Sequence, residues 1–442
     1  MMTFLSRSML AVAATAVTMG STACAGAQSA ELSAQEKRIV VAAQAESGPA
    51  IALLEKLVNI NSGTMNKAGV AAVGRVMMSE LESLDFKVRW VPMDAVDRAG
   101  HVVAEHAGSG HGRRVLLIGH LDTVFEKDSP FQHFERRGDI AEGPGVNDMK
   151  DGLSIMVAAL RALQKTGHLA NVDVKIVLSG DEENAGRPIS VSRADMIAAA
   201  SRSDVALEFE ALATQDGHDM GSISRRSSLT WTVRTSSASG HSSAIFSHDV
   251  GDGAGYELAR ILDTFRRDLP EPNATFSVGL MLAGSSALFN GDETAGTVSG
   301  KSNVIPAQGL ARGDLRTLSN AQTEQITARM NEIVAAHLAG TAAQITFDES
   351  YPAMPPTAGN RALLAVLNGI NVDLGLAPMP ELDPLRRGAG DISFVADKVD
   401  GLIGFGGAGR GSHAPGETVD LLSFDRQIKR AALLLERLSQ SR

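Results

Sequence analysis

The chain has 442 residues, 44% of them hydrophobic and 21% charged, with a formal net charge of −10. Such a length accommodates two or three domains, and the composition is ordinary for a globular protein. The acidic balance argues against nucleic acid or an anionic membrane surface as the main partner.

Arg7 precedes an apolar run from Met9 to about Met19, and small residues follow through Ala27. This is the layout of a secretory signal, with cleavage after Ala25 or Ala27. The run is short for a membrane span. Removal of residues 1–27 and a secreted or periplasmic location are therefore expected. The single cysteine, Cys24, lies inside the segment, and Ser21 stands where a lipoprotein signal would carry a branched apolar residue. A mature chain without cysteine forms no disulfide, and any metal must rest on histidines and carboxylates. No later stretch is long and apolar enough for a transmembrane helix.

Residues 28–50 read as a polar helical extension. The apolar spacing of 51–86 predicts two helices broken near Asn59-Ile60-Asn61-Ser62-Gly63. Residues 115–118 form a buried strand, 153–163 a helix and 172–178 another strand. This alternation implies an α/β sheet covered on both faces. Beyond about Asp219 the pattern changes. Strands over 229–235, 275–282, 311–315 and 344–347 are interleaved with helices over 250–267 and 321–338. The order β-α-β-β-α-β is that of a small open sheet with helices on one face. From Arg361 onward the first pattern returns. Residues 28–218 and 352–442 are expected to form one domain, with 219–351 inserted in it.

The chemistry-bearing residues gather at strand ends. The first strand runs into Gly119-His120-Leu121-Asp122-Thr123, which aims His120 into the crevice where α/β folds bind ligands. Asp122, two residues on, is placed to fix an imidazole tautomer. Asp148 sits in a Gly/Pro-rich turn before a helix, where an N-cap is the plainer reading. The next strand ends in Asp181-Glu182-Glu183. Three adjacent acids repel one another, and a divalent cation compensates them. Glu208 and Glu210 end a further strand and share a face by period-two alternation. Far downstream, Gly409-Arg410-Gly411-Ser412-His413 supplies a second histidine in a loop. The donor set is nitrogen and oxygen without thiolate, which suits a zinc pair, with cobalt or manganese as alternatives.

Taken in order, His120-Leu121-Asp122-Thr123, Asn147-Asp148-Met149-Lys150, Asp181-Glu182-Glu183, Phe209-Glu210, Ser239-Gly240-His241-Ser242, Ser302-Asn303-Val304-Ile305-Pro306 and Ser412-His413-Ala414 resemble the M20 family of zinc peptidases. The likeness is to its glutamate-carboxypeptidase-like branch and covers nearly the whole mature chain. It implies a catalytic α/β domain, with a mixed sheet covered by helices, and an inserted ferredoxin-like lid that also pairs two chains. It further implies that Asp148 bridges two zinc ions, with His120 and Glu210 completing one site and Glu183 and His413 the other. Glu182 would be the general base and Asp122 the residue orienting His120. His241, across a homodimer, and Asn303 would hold the oxyanion, and a cis peptide would follow Asp148. Arg316 falls where the family binds a substrate carboxylate. A second basic residue would fall near Tyr351 and is missing, so Arg386 or Arg387 is the substitute. Ala211 replaces the proline usual after the Glu210 position.

The implied activity is hydrolysis of an amide bond in a small peptide, with release of an N-acyl group from an amino acid as the alternative. Gly404-Phe405-Gly406-Gly407-Ala408-Gly409 matches a dinucleotide fingerprint but leads into a loop rather than a helix. G-x-S-x-G and H-E-x-x-H are both absent, which removes serine hydrolases with a nucleophile elbow and single-zinc helix proteases. A non-catalytic periplasmic binding protein would need no carboxylate clusters at strand ends.

Overall fold

Six strands form the central sheet, in the spatial order Lys87–Pro92, Gly100–His106, Val174–Ser179, Val115–His120, Val205–Glu208 and Asp400–Ile403. The first two pairings are antiparallel and the remaining three parallel. This is a computed structural model, and it describes residues 31–109, 111–291, 293–349 and 351–441. The expected signal segment and Cys24 lie outside these residues. Among them, no helix is long and apolar enough to cross a membrane.

Every residue of Val115–His120, Val174–Ser179 and Val205–Glu208 is buried. Continuous apolar runs of this kind belong to strands covered on both faces. One face packs against helices Ser47–Val58, Lys67–Glu82, Lys150–Lys165 and Ser423–Gln440, which share one apolar core with the sheet. The other face is closed by Met196, Ala199, Ile392 and Val395. The helix expected over 28–50 appears as Ala34–Ala45, opened by a capping box between Ser33 and Glu36. Parallel register sets His120 beside Ser179 and Ile118 beside Glu208. The three strands therefore release their chains side by side at one edge, where the site assembles.

Residues 229–347 build a second antiparallel sheet in the order Thr275–Gly284, Gln308–Arg316, Leu229–Ser237, Thr341–Phe347. Helices Ala254–Asp268 and Asn320–Ala335 lie on one side of it, around a separate apolar cluster. The first of these helices starts four residues later than its apolar spacing suggests. Gly251 and Gly253 take φ of +76° and +82°, outside the helical region. A hairpin, Ser286–Phe289 with Gly296–Ser299, was not expected. The chain also leaves the first unit later than the change of pattern near Asp219 suggests. Asp219 is held by Arg426 and Arg430, and Ser222 pairs with Ile403.

Trp231 is fully buried at the centre of the second cluster, edge-on to Phe265 at 5.6 Å, and its indole donates to the Asp314 carbonyl at 3.1 Å. Trp231→Ala is expected to cost about 3–5 kcal/mol in the second unit. Calorimetry should show that loss while bound metal, held by the first unit, stays unchanged; loss of both would mean that the two units share one folding transition.

Candidate metal centre

Each strand end delivers one part of the centre. His120 is the last residue of its strand, and its Nε2 lies 3.1 Å from Asp148 Oδ1 and 3.3 Å from Glu210 Oε1. His413 approaches from the opposite side, with Nε2 3.0 Å from Asp148 Oδ2 and 3.1 Å from Glu183 Oε2. The two oxygens of Asp148 are thus divided between two triads of donors, each gathered within 4.8 Å. Around a tetrahedral zinc with bonds of about 2.0–2.1 Å, neighbouring donors stand about 3.3 Å apart. The observed separations fit that spacing. Glu183 Oε1 is buried without a hydrogen-bond partner among the described residues, as expected of an atom that needs a cation.

The electrostatics make the same demand. Hydrogen bonds to Asp148 and Glu183 push His413 up to about 11. Burial opposes the charging of His120, yet Asp122, Asp148 and Glu210 hold its pKa well above the usual value. Burial would raise Asp148, but hydrogen bonds from the two imidazoles keep it below the carboxylate range. Burial pushes Glu183 up to about 7. Glu182 is driven up by burial, and Asp391, Glu183 and Glu210 add to the rise. Two imidazolium charges do not satisfy four carboxyl groups. Divalent cations fit the donor set.

Period-two reasoning leaves Glu208 and Glu210 equivalent, and the structure separates them. The strand ends at Glu208, whose carboxylate accepts from Arg225 Nε and from the Ile392 amide, both at 2.8 Å. Two residues further, beyond the strand, Glu210 reaches His120. Asp181 is likewise withdrawn from its acidic neighbours, paired with buried Arg193 at 2.6 Å. Asp148 is not an N-cap: Met149 precedes the helix, and the Asp148 side chain is spent on the two histidines. The Asp148–Met149 peptide is cis.

Asp122 meets His120 through two groups: Nδ1 of His120 is 3.1 Å from the backbone carbonyl of Asp122 and 3.5 Å from its Oδ1. The carboxylate also accepts the amides of Glu182 at 3.0 Å and Glu183 at 3.1 Å and the Thr64 hydroxyl at 2.6 Å. It sets the turn that carries both acids. Glu417, given no role by the sequence, does the same on the other side. Fully buried, it accepts the amides of Asn147 at 2.7 Å, Asp148 at 2.9 Å and Gly145 at 3.2 Å. The loop carrying His413 is thereby tied to the turn carrying Asp148. An acid four residues beyond a loop histidine is the only sequence signal for it.

The glycine run 404–409 packs these pieces together. A Cβ on Gly406 would strike the carbonyls of Phe209 and Glu210, and one on Gly409 would strike Asn147. It leads into the short strand Ala408–Arg410 and does not open a helix.

The remaining residues lie further out. His241 is exposed on the second unit, hydrogen-bonded to Ser243 and paired in a bridge with Val304. Asn303, also exposed, accepts the Ser242 amide through its carbonyl. Among the described residues, no hydrogen bond or ion pair joins either of them to the two triads. Arg316 is half-buried beside Asp314 and close enough to disfavour the charge on Arg226. Of the two alternative arginines, Arg386 is exposed. Burial holds Arg387 down to about 10 while the charges of Glu210, Glu208 and Asp148 act on it, and its Nε is buried without a partner among the described residues. Tyr351 lies behind the Glu182 turn, its hydroxyl 2.7 Å from the Glu182 carbonyl.

Comparison with known proteins agrees with this geometry. The model of peptidase family M20/M25/M40 matches residues 116–441. Carboxypeptidase G2 of a Pseudomonas species is 28% identical over 285 residues, 63% of this chain and 62% of that enzyme, so the match spans under two thirds of that relative. Succinyl-diaminopimelate desuccinylase of Novosphingobium aromaticivorans is 28% identical over 397 residues, covering 87% of this chain and 97% of that one. Among solved structures, the YXEP protein of Bacillus subtilis, a dinuclear metal-binding peptidase, superposes with a TM-score of 0.63 at 16% identity, over 90% of this chain and 99% of its own. With the family model matched over most of its length and the two donor triads in place, the chain belongs to peptidase family M20/M25/M40 and is a metal-dependent hydrolase of carbon–nitrogen bonds.

Proposed function

We propose that the protein is an exported dinuclear zinc hydrolase, cleaving an amide bond next to a carboxylate-bearing amino acid in the manner of a carboxypeptidase. The observation that carries this reading is the Asp148 carboxylate shared between two donor triads. Beside it stands Glu182, whose side chain makes no hydrogen bond or ion pair among the described residues. Cobalt or manganese are the alternative metals.

Cations bound by the triads supply Lewis acidity and lower the pKa of water toward neutrality. The protein's own groups do the rest. Glu182 takes a proton from the attacking water and returns it to the leaving amine. Asp122 fixes the backbone of Glu182 and Glu183, so that base and ligand keep one geometry. Arg316 and Arg387 receive the substrate carboxylate, for which a guanidinium offers a bidentate fork. His241 and Asn303 donate to the oxyanion. Because His241 is exposed and its ring is hydrogen-bonded only to Ser243 among the described residues, we place it in the site of a second subunit, in a homodimer formed through the lid.

A second reading is favoured by the desuccinylase match, which runs along 97% of that relative. Under it the chain is a deacylase that releases an amino acid from an N-acyl group. The centre is the same, and only the acyl pocket differs.

Purified protein is expected to carry about two zinc equivalents per chain and to hydrolyse dipeptides or N-acyl amino acids. A chelator should abolish turnover and zinc or cobalt should restore it; full activity in metal-free protein would end this reading. The choice between the two acyl classes follows from which substrate set is turned over.

Asp122→Asn replaces an acceptor of three hydrogen bonds with a group that donates on one side. It leaves a buried amide unpaired, at a cost of about 1–3 kcal/mol. Lower metal occupancy after dialysis and a reduced melting temperature are expected. A variant with unchanged metal content would show that the Glu182–Glu183 turn holds itself.

The dimer reading is tested by complementation. Inactive Glu182→Gln and His241→Ala subunits, mixed and allowed to exchange, should recover activity, since some mixed dimers carry one site with both groups intact. No recovery despite proven exchange would place His241 in its own chain's site.

A further inference from the structure

The second unit joins the first through two crossing segments that pair with each other. Ser228 and Tyr351 exchange backbone hydrogen bonds of 3.0 and 3.1 Å, and Arg225 and Met354 exchange bonds of 3.0 and 2.9 Å. Tyr351 thus stands on the return crossing, yet its side chain reaches into the first unit. The ring packs edge-on against Phe394 at 4.9 Å. Its hydroxyl lies 2.7 Å from the Glu182 carbonyl and 2.8 Å from Arg193 Nη2.

The direction of these bonds is fixed by chemistry. A guanidinium only donates, so the hydroxyl accepts from Arg193 and must give its single proton to the Glu182 carbonyl. Arg193 cannot move aside. It is fully buried, with Nη1 on Asp181 at 2.6 Å and Nε on Asp391 at 2.8 Å. A second tie lies two residues earlier on the same crossing. Glu349 accepts the Ile189 amide through Oε2 at 3.0 Å and Arg187 Nη1 through its carbonyl at 2.9 Å. The loop that starts at Glu182 is therefore gripped near both ends by one stretch of the crossing.

The backbone of Glu182 is held from both sides: Asp122 accepts the N–H of each flanking peptide group, at Glu182 and at Glu183, while the Tyr351 hydroxyl donates to the carbonyl of the second. Asp122 belongs to the core of the first unit, and Tyr351 to the connection to the second. We propose that Tyr351 is a positioning residue that couples the crossing between the two units to the orientation of Glu182. A rotation of the second unit that moves the crossing shifts one of the two anchors of Glu182 and leaves the other in place. Substrate gripped by the second unit then adjusts the group that handles the proton. The proposal rests on Glu182 carrying that proton.

Tyr351→Phe removes one oxygen and keeps the ring against Phe394. We expect kcat to fall about ten-fold, which corresponds to about 1.4 kcal/mol, the scale of one hydrogen bond. KM should stay within about two-fold, with metal content and melting temperature close to the parent. Glu182→Gln alone should lower kcat by about 10²–10⁴. In that background, Tyr351→Phe should change kcat by less than about two-fold, because groups acting through one another do not add. Glu349→Ala, which loses a different tie, should show the same dependence with a smaller fall of about three-fold, and it decides the matter if Tyr351→Phe does not fold. Near-normal turnover in Glu182→Gln would overturn the proton-carrier reading and the proposal with it. A large loss in Glu182→Gln with a normal Tyr351→Phe, or with effects that multiply, would overturn the positioning role alone.

Discussion

Four carboxyl groups, those of Asp148, Glu182, Glu183 and Glu210, converge on two imidazoles at one edge of a buried sheet. Left to themselves, such groups would separate into water. What keeps them together is a frame of backbone amides, directed at acids that are not themselves members of the cluster. Asp122 collects two amides from one side and Glu417 three from the other. Both are buried, and both act by fixing main chain. The charge repulsion of the centre is thus carried by hydrogen bonds one layer out, where the geometry is rigid.

That arrangement explains why some of the protein is legible in its sequence and some is not. Strands 115–120 and 174–179 announce themselves as unbroken apolar runs, and the residues that follow them are polar for no reason a soluble surface would supply. His120 and the acids 181–183 could therefore be picked out as candidates, while the choice of Asp148, Glu183 and His413 as ligands came from the resemblance to the M20 family. Spacing alone could not separate Glu208 from Glu210, which the resemblance chose, because the alternation that puts them on one face ends at Glu208 and the chain then turns. The use of the Asp122 carboxylate was also hidden. It depends on amides sixty residues away, which no local spacing reports. Glu417, Arg193 and Tyr351 share this fate, each defined by partners brought near only by the folded sheet.

The second unit was visible as an interruption, and its four main strands and two helices were found close to their positions. Its hairpin was missed because two four-residue strands flanked by Gly and Ser carry little pattern. Its late departure from the first unit was missed for a different reason. Residues 219–228 lose the strand–helix rhythm but remain bound to the main body through Arg426, Arg430 and Ile403. A change of rhythm marks the end of an element, and the end of a domain lies where side-chain partners change.

The glycine run from Gly404 to Gly409 has a consequence for how the centre tolerates change. Where it passes Phe209 and Glu210, main chain lies directly on main chain with no side chain between, and at Gly409 it abuts the Asn147 side chain. The gap between the segment bearing Glu210 and the segment leading to His413 is therefore set by atomic radii together with backbone hydrogen bonds, from Gly406 to the Glu210 carbonyl at 2.9 Å and from Leu212 to the Gly407 carbonyl at 3.0 Å. Contact of this sort is unyielding under compression, whereas against stretching it is held by those few hydrogen bonds, each a modest net contribution. A single added methyl group would wedge the two halves of the centre apart, whereas the loss of a distant hydrogen bond would only loosen them. The run works as a spacer of zero thickness, and its tolerance to substitution is correspondingly one-sided.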